Sequence, residues 1–525
     1  MATAEPPAGG SARLAALAAR IGRLTGWRRA LVALAAGALA TAALPPVHAV
    51  PLLLVAFPVL VWLLDGRTRA RGAFLDGFLF GLGHWLTGIY WVAEAMLVQA
   101  DRFAWLIPVA VPGLAAVLAV FPALAVVLAW RLAPPGTGRV LLLVAAWTAL
   151  AWLRGWIFTG FPWNVLATAW TPWPAMLQPA AWLGAYGLGL ATVAAAALPA
   201  RLAAPGWRNG VAAGAGLLVL AGLGAAGGAR LAGADGGVVP GVRLRLVQPA
   251  VPQGRKWVPE ERPRHVKQLI RMSRRPGSDG RTHVIWPETA VPYFLGRNGR
   301  VRRAVARAAP PGGAVVTGAP RAGAGTESGG LRAWNSIRVV RPDGTVSATY
   351  DKHHLVPFGE YMPLSGILPL ERLAPGRGTF TPGDGPRRLP IPGAPPANPL
   401  VCYEAIFPGA VTDAAGKGRW LLNLTNDAWF GTSAGPHQHF AAARLRAVEE
   451  GRPLVRVANT GISGVVDSYG RVRALLGLGE KGIIDTPLPR PLSSRTPYAV
   501  WGNALPLVLV VVVGVAGLAV GRYRA

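Results

Sequence analysis

The sequence predicts an α+β, multi-domain membrane protein: a polytopic α-helical transmembrane domain of about eight helices joined to an α/β layered domain of about 250 residues. Three observations predict it. Hydrophobic residues make up 52% of the 525 and charged residues only 15%, with a mean hydropathy of +0.37, which is unusual for a soluble chain. Seven apolar stretches of about 20 residues precede residue 235, and an eighth lies near the end. After residue 235 the pattern changes to short β-rich runs alternating with helical ones.

The apolar stretches run at about 28–46, 47–64, 73–98, 104–130, 139–156, 176–199, 210–232 and 500–520. Pro45 and Pro46 interrupt the first apolar run, leaving either two segments or one long kinked one. Loop charge tests the count. Arg13, Arg20, Arg23, Arg28 and Arg29 precede or open the first span; Arg67, Arg69, Arg71, Arg131, Arg139, Arg201, Arg208, Arg522 and Arg524 occupy alternate connections. With eight spans all of these fall on one face, which the positive-inside rule makes cytoplasmic. Residues 1–27 are then a cytoplasmic basic tail, 28–234 transmembrane helices 1–7, 235–498 a domain on the periplasmic or equivalent outer face, and 499–525 the eighth helix with a cytoplasmic tail. Arg28-Arg29, an apolar core and Val47-His48-Ala49 look like a secretory signal, but further spans follow and the charge pattern needs this one retained.

Trp152, Trp156, Trp163, Trp170, Trp173 and Trp182 crowd the region between the fifth and sixth spans. They form an interfacial aromatic belt or a floor for lipid headgroups. Asp76, His84 and Glu94, in or near the third span, are either intramembrane functional groups or interfacial, internally paired ones.

In the outer domain, strands are expected at Val242–Val247, His283–Trp286, Ala314–Thr317, Asn335–Val340, Val346–Tyr350, Leu400–Tyr403 and Trp420–Asn426, with a hairpin turn at Pro342-Asp343-Gly344. Helical patterns fall at about 259–274, 297–308 and 437–450, and 321–330 and 373–398 read as Gly- and Pro-rich loops. Three polar residues end apolar strands: Glu288, Lys352 and Cys402. In layered α/β folds strand ends converge on a shared crevice.

Cys402 is the chain's one cysteine, so an intramolecular disulfide is excluded, leaving an inert buried thiol or a nucleophile. Glu288 is suited to accept the thiol proton, and Lys352 with a backbone N–H after Cys402 to stabilise an oxyanion. A carboxylate alone would oppose thiolate formation by like-charge repulsion, so the ammonium also balances the site. His353 and His354 read as structural. The net charge of +29 invites nucleic acid as a partner, but the arginines are dispersed, with no basic helix, zinc-ligand spacing or aromatic RNA-binding motif. No metal, no cofactor and no Walker A loop are expected, and only five lysines occur against an arginine background.

Glu288, Lys352 and Cys402 together resemble the Glu-Lys-Cys triad of the nitrilase superfamily, which implies a nitrilase-like αββα sandwich. Trp-Pro-Glu-Thr-Ala (286–290), Tyr-Asp-Lys-His-His-Leu-Val-Pro-Phe-Gly-Glu-Tyr (350–361), Cys-Tyr-Glu (402–404) and Asn-Leu-Thr-Asn-Asp-Ala-Trp-Phe-Gly (423–431) narrow the resemblance to the apolipoprotein N-acyltransferase family. That resemblance implies Glu288 as base, Lys352 as oxyanion stabiliser and Cys402 as nucleophile. It implies a second glutamate, Glu360, lining the site, and support from Tyr403 and Glu404; Glu404 alternatively forms a structural ion pair, and Tyr403 packs. Trp257 resembles a tryptophan at the lipid entrance, and Asn335 and Asn426 shape the pocket or, for Asn426, bond a loop. The implied partners are a phospholipid acyl donor (typically phosphatidylethanolamine), a diacylglyceryl apolipoprotein acceptor and the lipid bilayer of a bacterial inner membrane, with the chain acting as a monomer. Two other readings stand beside it: a membrane-tethered amidase or hydrolase that passes the acyl group to water, and a polytopic transporter with an outer binding domain. The transporter reading calls for broken or charged helices in two related halves, and no such pairing is visible.

Overall fold

The chain divides into two units, one of Met1–Tyr90, Pro108–Ala232 and Trp501–Ala525, the other of Trp91–Ile107 and Gly233–Val500. The computed structural model describes residues 10–277, 280–323, 332–363, 379–413 and 415–522.

The first unit is helical. Gly26–Thr41, Leu53–Asp65, Ala70–Gly88, Ile107–Leu132, Thr137–Arg154, Ala180–Ala197, Trp207–Ala232 and Ala504–Arg522 fall in the eight expected stretches. Five helices among the described residues are long and apolar enough to cross a membrane. The other three expected spans are Gly26–Thr41 and Leu53–Asp65, of 16 and 13 residues, and Ala70–Gly88, which carries Arg71, Asp76 and His84. The Pro45-Pro46 region separates two helices instead of kinking one. The amino-terminal tail also contains a helix, Gly10–Gly22, that composition did not reveal. Small, branched and aromatic side chains such as Ala36, Ala40, Phe57, Leu60, Phe80, Val126 and Leu143 close the helical core. Asp76, fully buried, is paired with Arg29 at 2.7 Å and Arg67 at 2.6 Å, while His84 Nδ1 bonds the Thr41 hydroxyl at 2.9 Å. Both polar groups therefore have internal partners.

The third expected span is cut short. Its helix ends at Gly88, and Trp91–Ile107 belongs to the other unit. There the Trp91 ring meets Phe430 at 4.5 Å and its Nε1 donates to Gln438 Oε1 at 3.0 Å. Glu94 lies in this arm, against Gly431, and not in a span.

The second unit is a layered sandwich. Its strands are β1 (Val238–Gln248), β2 (His283–Ile285), β3 (Ala314–Gly323), β4 (Arg332–Val340), β5 (Val346–Asp351), β6 (Leu389–Ile391), β7 (Ala394–Val401), β8 (Trp420–Thr425), β9 (Leu454–Ala458), β10 (Ser463–Val466), β11 (Val472–Leu476) and β12 (Gly482–Pro489). They form two six-stranded sheets, β12-β1-β2-β3-β4-β5 and β11-β10-β9-β8-β7-β6. Each sheet has three parallel strands at its heart, β1-β2-β3 and β7-β8-β9. Leu244, Leu246, Ile285, Val316 and Ile337 of one sheet share a core with Val401, Leu422, Leu424, Val455 and Val457 of the other. On the outer face of the first sheet, Val266, Leu269 and Met272 of the helix Arg262–Ser273 cover Val247, Val284 and Val315. On the outer face of the second, Ala443 and Ala447 of the helix Gly435–Glu450 cover Leu400, Leu421 and Leu454. The layers run helix, sheet, sheet, helix: a nitrilase-like αββα sandwich.

Two expectations are corrected here. Residues 373–398, read as a loop from their Pro and Gly content, include β6 and the start of β7, because Pro at a short edge strand forfeits little ladder bonding. Part of that loop and of 321–330 lies outside the described residues, and β3 continues to Gly323.

Candidate active site

Parallel pairing brings the functional strand ends together. Ile285 of β2 pairs with Val316 of β3, so the chain leaving β2 at Trp286 runs beside Thr317 and Gly318. Gly318 N–H donates to the Pro287 carbonyl at 3.1 Å, and a Cβ at 318 would lie 2.3 Å from the Thr289 nitrogen and 2.6 Å from Glu288 Cα. Only a glycine admits the Glu288 turn this closely. In the other sheet Val401 of β7 pairs with Leu424 of β8, which puts Cys402 next to Thr425. The backbone of Cys402 then takes a left-handed φ of +51° as β7 passes into the turn Cys402–Ile406. Thr289 at +44° and Phe358 at +62° take the same region beside Glu288 and Glu360. Non-glycine residues held in such conformations gather at functional sites.

The polar groups converge as a network. Asn335 Nδ2, on β4, donates to Glu288 Oε1 at 2.7 Å and to Glu360 Oε1 at 2.8 Å. The second oxygen of Glu360 receives Lys352 Nζ at 2.7 Å and the Val356 N–H at 2.8 Å. Glu288, Asn335, Lys352 and Glu360 are all buried, and Cys402 is 7% exposed. Its sulfur feels the charges of Glu288 and Lys352 and bonds the Thr425 side chain.

Glu404 works as a clasp between the sheets. Its Oε1 accepts from the Tyr350 hydroxyl at 3.0 Å and from the His353 and His354 N–H groups at 2.8 and 3.1 Å, and its Oε2 accepts from the Val401 N–H at 2.7 Å. His353 Nδ1 adds an ion-pair contact at 2.6 Å. The segment carrying Lys352 is thus tied to the one carrying Cys402. Tyr403 packs in an aromatic group with His354 and Phe407. Asn426 bonds a loop: its Nδ2 donates to Gln253 Oε1 at 2.7 Å while its Oδ1 accepts from Asn459 at 2.9 Å. Trp257, half-buried, follows the helical turn Gln253–Lys256.

Two groups escaped the sequence reading. Lys256 is buried, and its Nζ donates to the Glu288 carbonyl oxygen at 3.0 Å. His439 sends Nε2 to the Cys402 carbonyl at 3.1 Å and Nδ1 to Asp427 Oδ1 at 2.9 Å, while Arg456 holds Asp427 Oδ2 at 2.6 Å. Each lies far in sequence from the residue it serves, so no local motif announces it. An arginine default elsewhere in the chain and the Gly-Pro-His-Gln-His run were the available signals.

Burial pushes the Cys402 thiol up to about 12, with Glu288 adding to the rise and Lys352 opposing it. Burial likewise raises the Glu288 carboxyl, against the pull of Lys352 and Lys256. Lys352 is desolvated too, but Glu360 and Glu288 outweigh that and hold it firmly as an ammonium. Lys256 goes the other way: burial brings it down to about 8, with Glu288 and Cys402 only partly restoring it. At rest the site therefore holds a neutral thiol beside the Glu288 carboxyl and two lysines. Thiolate forms only as its proton moves.

Cys402, Asp427 and His439 bring three ligand-type atoms within 4.8 Å of one another. Both His439 nitrogens are already bonded, and the Arg456 guanidinium sits on Asp427. A fixed cation there opposes a second one, so the set braces the Cys402 backbone and does not fit a metal.

The chain resembles known proteins over most of its length. The model described as the apolipoprotein N-acyltransferase N-terminal domain matches residues 36–198, and the carbon-nitrogen hydrolase model matches 243–498. Apolipoprotein N-acyltransferase of Rhodopseudomonas palustris is 42% identical over 508 residues, covering 93% of this chain and 94% of that protein. The protein of that name from Bradyrhizobium diazoefficiens is 44% identical over 521 residues, covering 95% and 96%. A carbon-nitrogen hydrolase structure from Helicobacter pylori G27 aligns over 47% of this chain and 89% of its own at 15% identity, with a TM-score of 0.33. A helical membrane unit, an αββα sandwich and near full-length likeness to these relatives lead to one conclusion: the chain belongs to the apolipoprotein N-acyltransferase family.

Proposed function

We propose that this acyltransferase takes an acyl chain from a phospholipid onto Cys402 as a thioester and passes it to the α-amine of an S-diacylglyceryl-cysteine at an apolipoprotein amino terminus. The observation that carries the reading is the convergence of Glu288 and Lys352 on the Cys402 sulfur, at a residue whose backbone is held left-handed.

In the first half-reaction Glu288 takes the thiol proton as sulfur attacks the ester carbonyl. The oxyanion is met by the Lys352 ammonium and a backbone N–H after Cys402. The ester C–O bond breaks, and the lysophospholipid alkoxide leaves with the proton from Glu288. In the second, the neutral α-amine attacks the thioester, Glu288 takes an N–H proton, and the C–S bond breaks as sulfur recovers a proton from Glu288. The donor's existing ester bond supplies the driving force, so no nucleotide enters and no cofactor is called for. Glu360 anchors Lys352, Asn335 spaces the two carboxylates, Glu404 and Tyr403 fix the turns, and Trp257 stands at the lipid entrance.

Phosphatidylethanolamine is the proposed donor and the monomer the working form. Loop arginines on alternate connections support an inner-membrane location with residues 235–498 on the periplasmic face.

The test incubates pure enzyme with labelled phospholipid and a diacylglyceryl peptide. Acyl adduct on Cys402 by mass spectrometry, followed by acylated peptide, is expected. Cys402→Ala abolishes the adduct, and Glu288→Gln lowers its rate by about 100-fold or more. Free fatty acid without acylated peptide would instead assign the membrane-tethered hydrolase. A normal adduct in Glu288→Gln would remove that residue from the base role.

A further inference from the structure

We propose that Lys256 is a second cation of this site, a positioning residue that fixes the base through the Glu288 carbonyl and balances the negative charge shared by Glu288 and Cys402. The inference rests on the triad reading above and extends it to a residue outside the motif.

Charge singles out Lys256. Lys352 is committed to Glu360 at 2.7 Å, and Arg456 to Asp427 at 2.6 Å. Each of those pairs is neutral as a unit. What remains is the charge on Glu288, which moves to sulfur when the thiol proton is taken up. Lys352 pulls on that charge from its place against Glu360, and Lys256 is the second ammonium that acts on it. It is 4% exposed, no carboxylate stands within ion-pairing distance of it among the described residues, and its field acts on both Glu288 and Cys402. With Lys256 charged, two cations face the negative charge shared by Glu288 and Cys402, before and after proton transfer. Without it Lys352 alone opposes the cost of burying that charge, and Glu288 binds its proton more tightly.

The lysine is also held in place. Its turn, Gln253–Lys256, is stapled by Gln253 Oε1 accepting from Asn426 Nδ2 at 2.7 Å, and Asn426 Oδ1 accepts from Asn459 Nδ2 at 2.9 Å. Asn459 Oδ1 in turn accepts from the Val251 N–H at 3.1 Å. A buried ammonium is costly unless it has work to do, and here the surrounding bonds hold it in that position.

The test follows the rate of acyl-enzyme formation against pH in the full-length protein, using labelled phospholipid. Lys256→Met removes charge and bond; Lys256→Gln removes the charge but keeps an N–H donor; Lys256→Arg keeps the charge. The expected result is an ascending limb displaced upward by about one pH unit in both neutral variants, with the rate at any pH on that limb lowered about tenfold, and a limb near the wild-type position in Lys256→Arg. Should Lys256→Met fail to fold, Lys256→Gln against Lys256→Arg carries the same comparison. Neutral variants with the wild-type profile would overturn the proposal, as would equal loss in all three with no displacement, the signature of a purely structural lysine. Cys402→Ala, run alongside, keeps the two readings apart. An adduct persisting there sinks the triad itself, whereas its loss beside an undisturbed Lys256→Gln profile sinks only this inference.

Discussion

Glu360 and Glu288 share one asparagine but differ in what else they touch, and that difference assigns their work. Glu360 is saturated by Lys352 and Val356, whereas the free side of Glu288 is left for a proton. Glu360→Gln should therefore leave the base intact but release Lys352 toward Glu288, quenching it. We expect acyl-enzyme formation to fall about 10- to 100-fold, less than in Glu288→Gln, with the adduct quantified by mass spectrometry. Lys256 gives a stability prediction of known sign. Its pKa is lowered on folding from the ordinary 10.5 to about 8, so between those values the unfolded chain binds the extra proton and stability rises with pH. Below about 8 the folded state bears the full cost of the buried charge. Lys256→Met should flatten that rise between about pH 8 and 10.5, read as the thermal unfolding midpoint in detergent micelles. Of these residues, Glu288, Lys352, Cys402 and Glu360 were legible because each lies in a recognisable local run. Lys256 and His439 were not, because what they do is bond the backbone of residues 32 and 37 positions away.

At the scale of elements, strand ends position the chemistry, and a single glycine sets how closely they approach. Gly318 on β3 lies under the Glu288 turn, where any Cβ would meet backbone that cannot swing aside. Gly318→Ala should displace Glu288, costing about 1–3 kcal/mol of stability and most of the acyl-enzyme yield while leaving a folded protein. Circular dichroism with the adduct assay would check both. Seven strands and three helices of the sandwich were readable from period and turn residues. β6 was hidden by proline, and β9 to β12 by Arg456, by the partly exposed edge strand β11 and by the Pro487 and Pro489 that break the pattern of β12. Glu404 illustrates the same limit: sequence offered an ion pair or a direct role, and only the packing of the end of β5 against the turn after β7 reveals its five contacts.

For the whole molecule, hydropathy located every long helix but misjudged where one ends. Residues 73–98 read as one apolar span, yet the helix stops at Gly88 and the following arm joins the catalytic unit. Hydropathy measures transfer to lipid, and an aromatic arm bound for a protein surface scores the same. Asp76 shows the reverse: a charge in an apolar stretch, answered by Arg29 and Arg67 from elsewhere in the helical unit.

That arm has a practical bearing on anyone wishing to study the sandwich without detergent. A fragment starting at residue 233 would leave behind Trp91, stripping the lid from Phe430 and an N–H donor from the Gln438 side-chain oxygen. Such a fragment should melt lower and clump, and grafting residues 91–107 back through a flexible tether should recover soluble material, as light scattering would reveal. The catalytic body is discontinuous in the gene's order, and excision has to respect both pieces.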